Sequence, residues 1–182
     1  MRDNGDEAIM KEQLILVDKK DQITGTAEKM AVHKKGLLHR SFSILVFNSK
    51  GELLLQQRAK NKYHCGGLWT NTCCSHPKPG ETILQAGRRR LFEEMGIDCK
   101  LEEIFSFRYR TTFPNGLTEN EYDHVLVGKS DALPKPNFKE VGEWKWAEIK
   151  TLKSEMRKNP EIYTYWFKIL IRRLPQEFIP RG

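Results

Sequence analysis

A chain of 182 residues is the size of one globular domain with a real core. At 38% hydrophobic and 30% charged residues it is too apolar to be disordered, and no apolar run approaches the ~20 residues that span a bilayer. The net charge of +7 raises the question of nucleic acid, but the basic residues fall in short separate groups, Lys19–Lys20, Lys34–Lys35, Arg88–Arg90 and Arg172–Arg173, without an RNA-binding aromatic motif or zinc-finger spacing.

In chain order, residues 1–12 are polar and mixed in charge with no apolar signal core, which argues against export. Gln13–Val17 reads as a strand ending in the polar turn Asp18–Gln22. Glu28–Arg40, with His33 and His39, is ambiguous between loop and short helix. Ser41–Phe47 and Glu52–Arg58 around Asn48-Ser49-Lys50-Gly51 read as a hairpin. A glycine-bearing loop, 59–67, leads into Leu68–Thr72. Past Pro77, Pro79 and Gly80 a helix is expected over Glu81–Met95, with Glu81 suited to its start and Gly96 to the residue past its end. Leu84, Gly87, Leu91 and Met95 recur at helical spacing and should face the core.

Strands are expected over Lys100–Arg110 and Glu119–Lys129, either side of the turn Pro114-Asn115-Gly116, and again over Val141–Trp146. Helices follow over Ile149–Lys158 and Tyr163–Leu174, with Pro160 between them. Strands, a central helix, more strands and terminal helices make an α+β fold, a mixed sheet between helices. With no repeat or linker, the chain reads as one domain over 1–182, its ends at 1–12 and 176–182 being the places to look for flexibility.

Chemistry concentrates around Thr70–Pro77, where Cys73 and Cys74 stand two residues from His76. Adjacent cysteines make a poor structural disulfide, so free thiols in a reducing cytosol are expected, pointing to opposite sides of an extended segment. The common fate of such thiols is packing. A structural zinc held by Cys73, Cys74 and His76 lacks the usual gap between cysteines. On the helix, Arg89 and Arg90 precede Glu93 and Glu94 by four residues, the spacing of surface ion pairs. Yet Gly87, Arg90, Leu91 and Glu94 share a stripe that overlaps the apolar face, and an acid there needs a partner or a metal. Strand alternation puts Glu119 and Glu121 on one face. With His33, His39 and His76 they could form an N/O site for zinc, manganese or magnesium.

From Ser75 to Ile97 the chain resembles the Nudix box: Glu81, Arg89, Leu91, Glu93, Glu94, Gly96 and Ile97 match. Ser75 stands where the box opens with glycine, and Arg90 where hydrolytic members carry a metal-binding glutamate. The segments Glu28–His39, Leu53–Ala59, Thr70–Pro77, Phe107–Arg110, Glu119–Asp123 and Tyr165–Lys168 resemble the non-hydrolytic branch, the type I isopentenyl-diphosphate isomerases. The resemblance implies a Nudix-like mixed sheet between helices and a cytoplasmic enzyme of isoprene biosynthesis. Its reaction is a reversible 1,3-shift of a double bond between isopentenyl and dimethylallyl diphosphate through a tertiary carbocation.

It further implies Cys74 and Glu121 as the proton-transfer pair, Tyr109 as assistant to the acid, and Trp166 as the ring that steadies the cation. His33, His39, His76, Glu119 and Glu121 match the first metal site, for manganese, zinc or magnesium. Glu94 matches a ligand of a second ion, a magnesium bridging to the diphosphate, and Lys29, Arg58, Lys62 and Arg90 match the cations that grip it. The implied partner is a small molecule, with no nucleic acid or membrane and a monomer as the default. The alternatives are a Nudix pyrophosphohydrolase, disfavoured by Arg90 and Ser75, and a basic RNA- or protein-binding module.

Overall fold

The structure, a computed structural model, describes residues 12–179. Its elements are β1 (Gln13–Val17), β2 (Ile23–Glu28), α1 (Lys29–Lys35), β3 (His39–Phe47), β4 (Leu53–Arg58), β5 (Trp69–Thr70), β6 (Cys73–Ser75), α2 (Ile83–Met95), β7 (Leu101–Thr112), β8 (Thr118–Lys129), β9 (Val141–Ala147), α3 (Ile149–Lys158) and α4 (Tyr165–Arg173). The expectation of flexible ends falls, for 1–11 and 180–182, outside the described residues. Gln176–Phe178 forms a 3-10 turn, and Glu12 pairs with Lys29 at 2.9 Å.

Among the described residues, all nine strands join one mixed sheet. β3 organises it because it is buried on both faces along nearly its whole length and continuously apolar from Ile44 to Phe47, as suits a central strand. One edge of β3 pairs in parallel with β8, from His39 beside Glu121 to Phe47 beside Lys129. Its other edge is taken in turn by β1 at His39, β6 at Phe42–Ile44 and β4 at Phe47. The β3–β4 hairpin is therefore closed only at its turn. Beyond it β4 diverges to pair with β9 and β5.

Side chains alternate along β3, so its two faces feed two cores. Leu45 and Phe47 pack with Val125, α3 (Ile149, Leu152) and α4 (Trp166, Phe167, Leu170). Phe42, Ile44 and Val46 pack with Leu126 and α2 (Ala86, Leu91, Met95). The mixed sheet between helices is thus observed.

Several local expectations need correction. β2 was not foreseen; its pattern is exposed on both faces, leaving no apolar alternation to read. Gly87, Leu91 and Met95 are buried as expected, but Leu84 is 42% exposed, and at the first turn its neighbour Ile83 packs against the core instead. Helix α2 starts after Thr82, which forms a reciprocal capping box with Gln85, rather than at Glu81, whose carboxylate clamps Arg89 at 2.7 and 2.8 Å. The last helix begins at Tyr165, since Tyr163 and Thr164 are still extended. The Leu68–Thr72 strand shrinks to β5.

Gly96 ends α2 with φ +66°, and a Cβ there would lie 2.7 Å from Lys135 Cβ and 2.9 Å from its carbonyl oxygen. That loop also binds the helix end, Lys135 N to Met95 O and Asn137 N to Glu94 O, both 2.8 Å. Gly96→Ala is expected to cost about 1–2 kcal/mol from the left-handed backbone alone, with the clash added, read as a lower denaturant midpoint at unchanged slope.

Candidate active site and metal centre

Neighbours in register share a face of the sheet, and this gathers the chemistry. Glu121 on β8 lies beside His39 on β3 and Tyr109 on β7, while Cys74 on β6 lies beside Ser43 on the opposite edge of β3. All four project to the α4 side, whereas Cys73 turns the other way into the core against α2. One cavity on that side is lined by Cys74, Tyr109, Glu119, Glu121 and Trp166, with Lys29, Arg58, Lys62, Arg90, His76 and Glu94 around them. His33 and His39 stand fully buried behind it.

The thiol and the carboxylates are in contrasting states. Burial pushes the Cys74 thiol up to about 12, with Arg58 pulling the other way, so it stays protonated at neutral pH. Tyr109 Oη lies 2.9 Å from Glu119 Oε2 and 2.7 Å from Glu121 Oε2. A single hydroxyl hydrogen cannot satisfy two carboxylates, so the pair calls for a further positive charge or proton. Burial and the charge of Glu121 push Glu119 well above the usual carboxylate range. Burial would raise Glu121 too, but His39 and His76 outweigh it and hold Glu121 well below that range.

The donor set fits a divalent ion. His33 and His39 donate from Nδ1 to the carbonyls of Lys29 (2.7 Å) and Leu37 (2.8 Å), which fixes their tautomers and aims Nε2 inward. Both Nε2 atoms are buried without a hydrogen-bond partner, a costly state that a metal would relieve. One ligand atom from each of His33, His39, His76 and Glu121 falls within 4.8 Å of the others. His76 Nε2 is 3.2 Å and His39 Nε2 3.4 Å from Glu121 Oε1. Burial lowers His33 and His76 to about 4, leaving neutral imidazoles with a free lone pair.

Glu119 falls in a second group, with His33 and His64. Glu94 lies in neither: its carboxylate is taken by Gln56 Nε2 (2.9 Å) and Arg90 Nη2 (2.5 Å).

The four expected cations are not equivalent. Lys29, Lys62 and Arg90 also line an outer depression beside the cavity, and each rests on a carboxylate: Lys29 on Glu12, Lys62 on Glu140, and Arg90 on Glu93 and Glu94. Arg58 sits deeper, its Nη1 3.6 Å from Cys74 Sγ and its guanidinium 5.4 Å from the Trp166 ring centre. Trp166 is itself oriented by Nε1 donating to Asn71 Oδ1 at 3.2 Å.

Sequence reasoning passed over three side chains. Gln56 reads as an ordinary strand residue. Asp123 is buried beneath the site, accepting from Ser41 (3.2 Å) and Ser43 (2.8 Å), and burial with the nearby Glu121 pushes it well above its usual range. The continued alternation Glu119, Glu121, Asp123 could have signalled it. His64 sits in the loop after β4, where no spacing marks it.

A NUDIX-domain family model matches residues 37–167. Among curated relatives, isopentenyl-diphosphate Delta-isomerase 2 of Aromatoleum aromaticum is 52% identical over 91% of this chain and 87% of that protein. The isopentenyl-diphosphate Delta-isomerase of Burkholderia multivorans is 52% identical over 90% of this chain and 93% of its own. Among solved structures, a protein of Deinococcus radiodurans superposes with a TM-score of 0.75 at 23% identity, over 89% of this chain and 98% of that one. A MutT protein of Methanosarcina mazei gives 0.63 at 22%, over 75% and 91%, and both speak to the fold alone. The α4-face cavity, with its thiol, paired carboxylates and inward-facing imidazoles, thus lies on a Nudix fold, and the chain belongs to the isopentenyl-diphosphate Delta-isomerases of the Nudix superfamily.

Proposed function

We propose that the chain interconverts isopentenyl and dimethylallyl diphosphate by protonation and deprotonation across the cavity, with Cys74 and Glu121 as the proton-transfer pair. The observation that carries this reading is that a protonated thiol and an ionised carboxylate, from strands on opposite edges of β3, line one cavity. An unactivated alkene is a poor base, so a positioned acid is needed to protonate its terminal carbon. The cation that forms at the branched carbon is relieved when a base takes a proton from the carbon beyond it. In one direction Cys74 gives and Glu121 takes; in the other the roles exchange.

Tyr109, bonded to both carboxylates, orients the Glu121 side, and the Trp166 ring offers its π face to the cation. Lys29, Lys62 and Arg90 hold the diphosphate at the outer mouth, and Arg58 reaches from within. His33, His39, His76, Glu119 and Glu121 would hold a divalent ion, which supplies charge that fixes Glu121 and sets its proton affinity. Glu94 would hold a second ion, magnesium, which would supply positive charge at the diphosphate.

The partner in this reading is a small molecule, and a monomer is the default. Four free thiols support a cytoplasmic setting, and no helix among the described residues is long and apolar enough to cross a membrane.

The deciding experiment incubates the purified protein with isopentenyl diphosphate and magnesium. Dimethylallyl diphosphate is the expected product; phosphate or pyrophosphate release without it would make the chain a hydrolase. Lys62→Ala is expected to raise KM for isopentenyl diphosphate about tenfold with little change in kcat, the loss of one charge-assisted contact worth about 1.4 kcal/mol. Undialysed protein should contain about one tightly held divalent ion per chain by elemental analysis, and full activity in strong chelator would remove the histidine centre.

A further inference from the structure

His64 is 6% exposed, yet neither of its ring nitrogens has a hydrogen-bond partner. Its Nε2 lies 3.0 Å from Glu119 Oε1, off the line that a hydrogen bond requires. That combination is unusual for an imidazole beside a carboxylate, which would ordinarily turn to bond it. It is ordinary for two ligands of one ion: donors ~2.1 Å from a metal and at right angles to each other stand ~3.0 Å apart without pointing at one another. The approach of His39 Nε2 to Glu121 Oε1, 3.4 Å and likewise without a hydrogen bond, has the same character, whereas His76 Nε2 does bond Glu121 Oε1 at 3.2 Å. One donor atom each of His64, Glu119 and His33 also lie within 4.8 Å of each other, so His64 joins the main cluster through His33.

We propose that His64 is a fourth histidine donor to the metal centre, entering beside Glu119. The inference rests on the metal centre assigned above and adds a ligand that the family resemblance does not imply. The ring's anchoring differs from that of the other histidines. His33 and His39 are fixed by Nδ1 bonds to backbone carbonyls, whereas His64 is held by packing: stacked on Phe113 at 4.7 Å and 8°, and edge-on to Tyr63 at 4.3 Å. That packing places the ring beside Glu119 and leaves both its nitrogens without a hydrogen-bond partner.

The test loads the intact protein with Mn2+, counts coordinated imidazoles by pulsed electron paramagnetic resonance, and measures affinity by chelator competition. Wild type should show four imidazole nitrogens; His64→Gln and His64→Phe should show three and bind Mn2+ at least tenfold more weakly. His64→Phe keeps an aromatic ring against Phe113, and the wild-type count needs no variant to fold. A wild-type count of three overturns the proposal. If affinity still falls tenfold with that count, His64 only positions Glu119. If His33→Ala and His39→Ala also bind Mn2+ like wild type, the failure belongs to the metal centre itself.

Discussion

Cys74→Ala is expected to lower isomerisation of isopentenyl diphosphate by about 10²–10⁴-fold, the span of a lost general acid or base. The thermal midpoint should fall by no more than about 2–4 °C, the effect of roughly 1 kcal/mol in a chain of this size. Both parts follow from position. Cys74 is half-buried at the cavity wall, its sulfur meeting Arg58 Nη1 at 3.6 Å, so deletion removes few packing contacts. The backbone pairing of β6 with β3 does not depend on the side chain. Cys73 is the control. Fully buried among Phe42, Leu91 and Met95, it should cost stability of about 1 kcal/mol when cut to alanine and leave most of the turnover. Near-wild-type turnover by Cys74→Ala would remove this thiol from the mechanism.

Glu121→Gln should be more severe, because one carboxylate serves several partners at once. It meets His39 and His76 through Oε1 and Tyr109 through Oε2. The amide fills the same space and can still accept from Tyr109, but it neither takes a proton nor offers an anionic ligand. Isomerisation is expected to drop by about 10³-fold or more, beyond the loss for a single acid–base group, with the tightly bound ion lost in the same preparation. Far-ultraviolet circular dichroism should be unchanged. A variant that keeps both its ion and a tenth of its activity would contradict the role of Glu121 on both counts.

The elements that could be read from sequence are those whose pattern is local. Gln13–Val17, Ile149–Lys158 and the long β7–β8 hairpin carry their periodicity and turn residues within a few positions, and they lie where the pattern puts them. The Ser41–Arg58 hairpin is instructive because its turn was right and its pairing was not. Asn48 and Gly51 close it, but the strands touch only at Phe47 and Leu53, since the neighbours of a central strand are chosen by distant segments.

The site divides along the same line. Cys74, Glu121 and the histidines were legible through a resemblance spread over most of the chain, and alternation alone paired Glu119 with Glu121. Nothing local announces that Gln56 meets Glu94, or that His64 meets Glu119 from a loop 55 positions away in sequence. Such contacts come from tertiary closure, which a residue pattern does not encode.

The parallel ladder between β3 and β8 has a consequence for how the enzyme is made. Ser41 and Asp123, bonded across it, are 82 residues apart, and His39 meets Glu121 over the same interval. Closing so long a loop is slow and is rewarded only after β8 has been synthesised and docked. A nascent chain that ends before Glu119 therefore holds imidazoles without their carboxylates and a thiol facing no opposing acid. Catalytic competence should emerge late during refolding, after most helical signal has returned, as one of the last events of maturation.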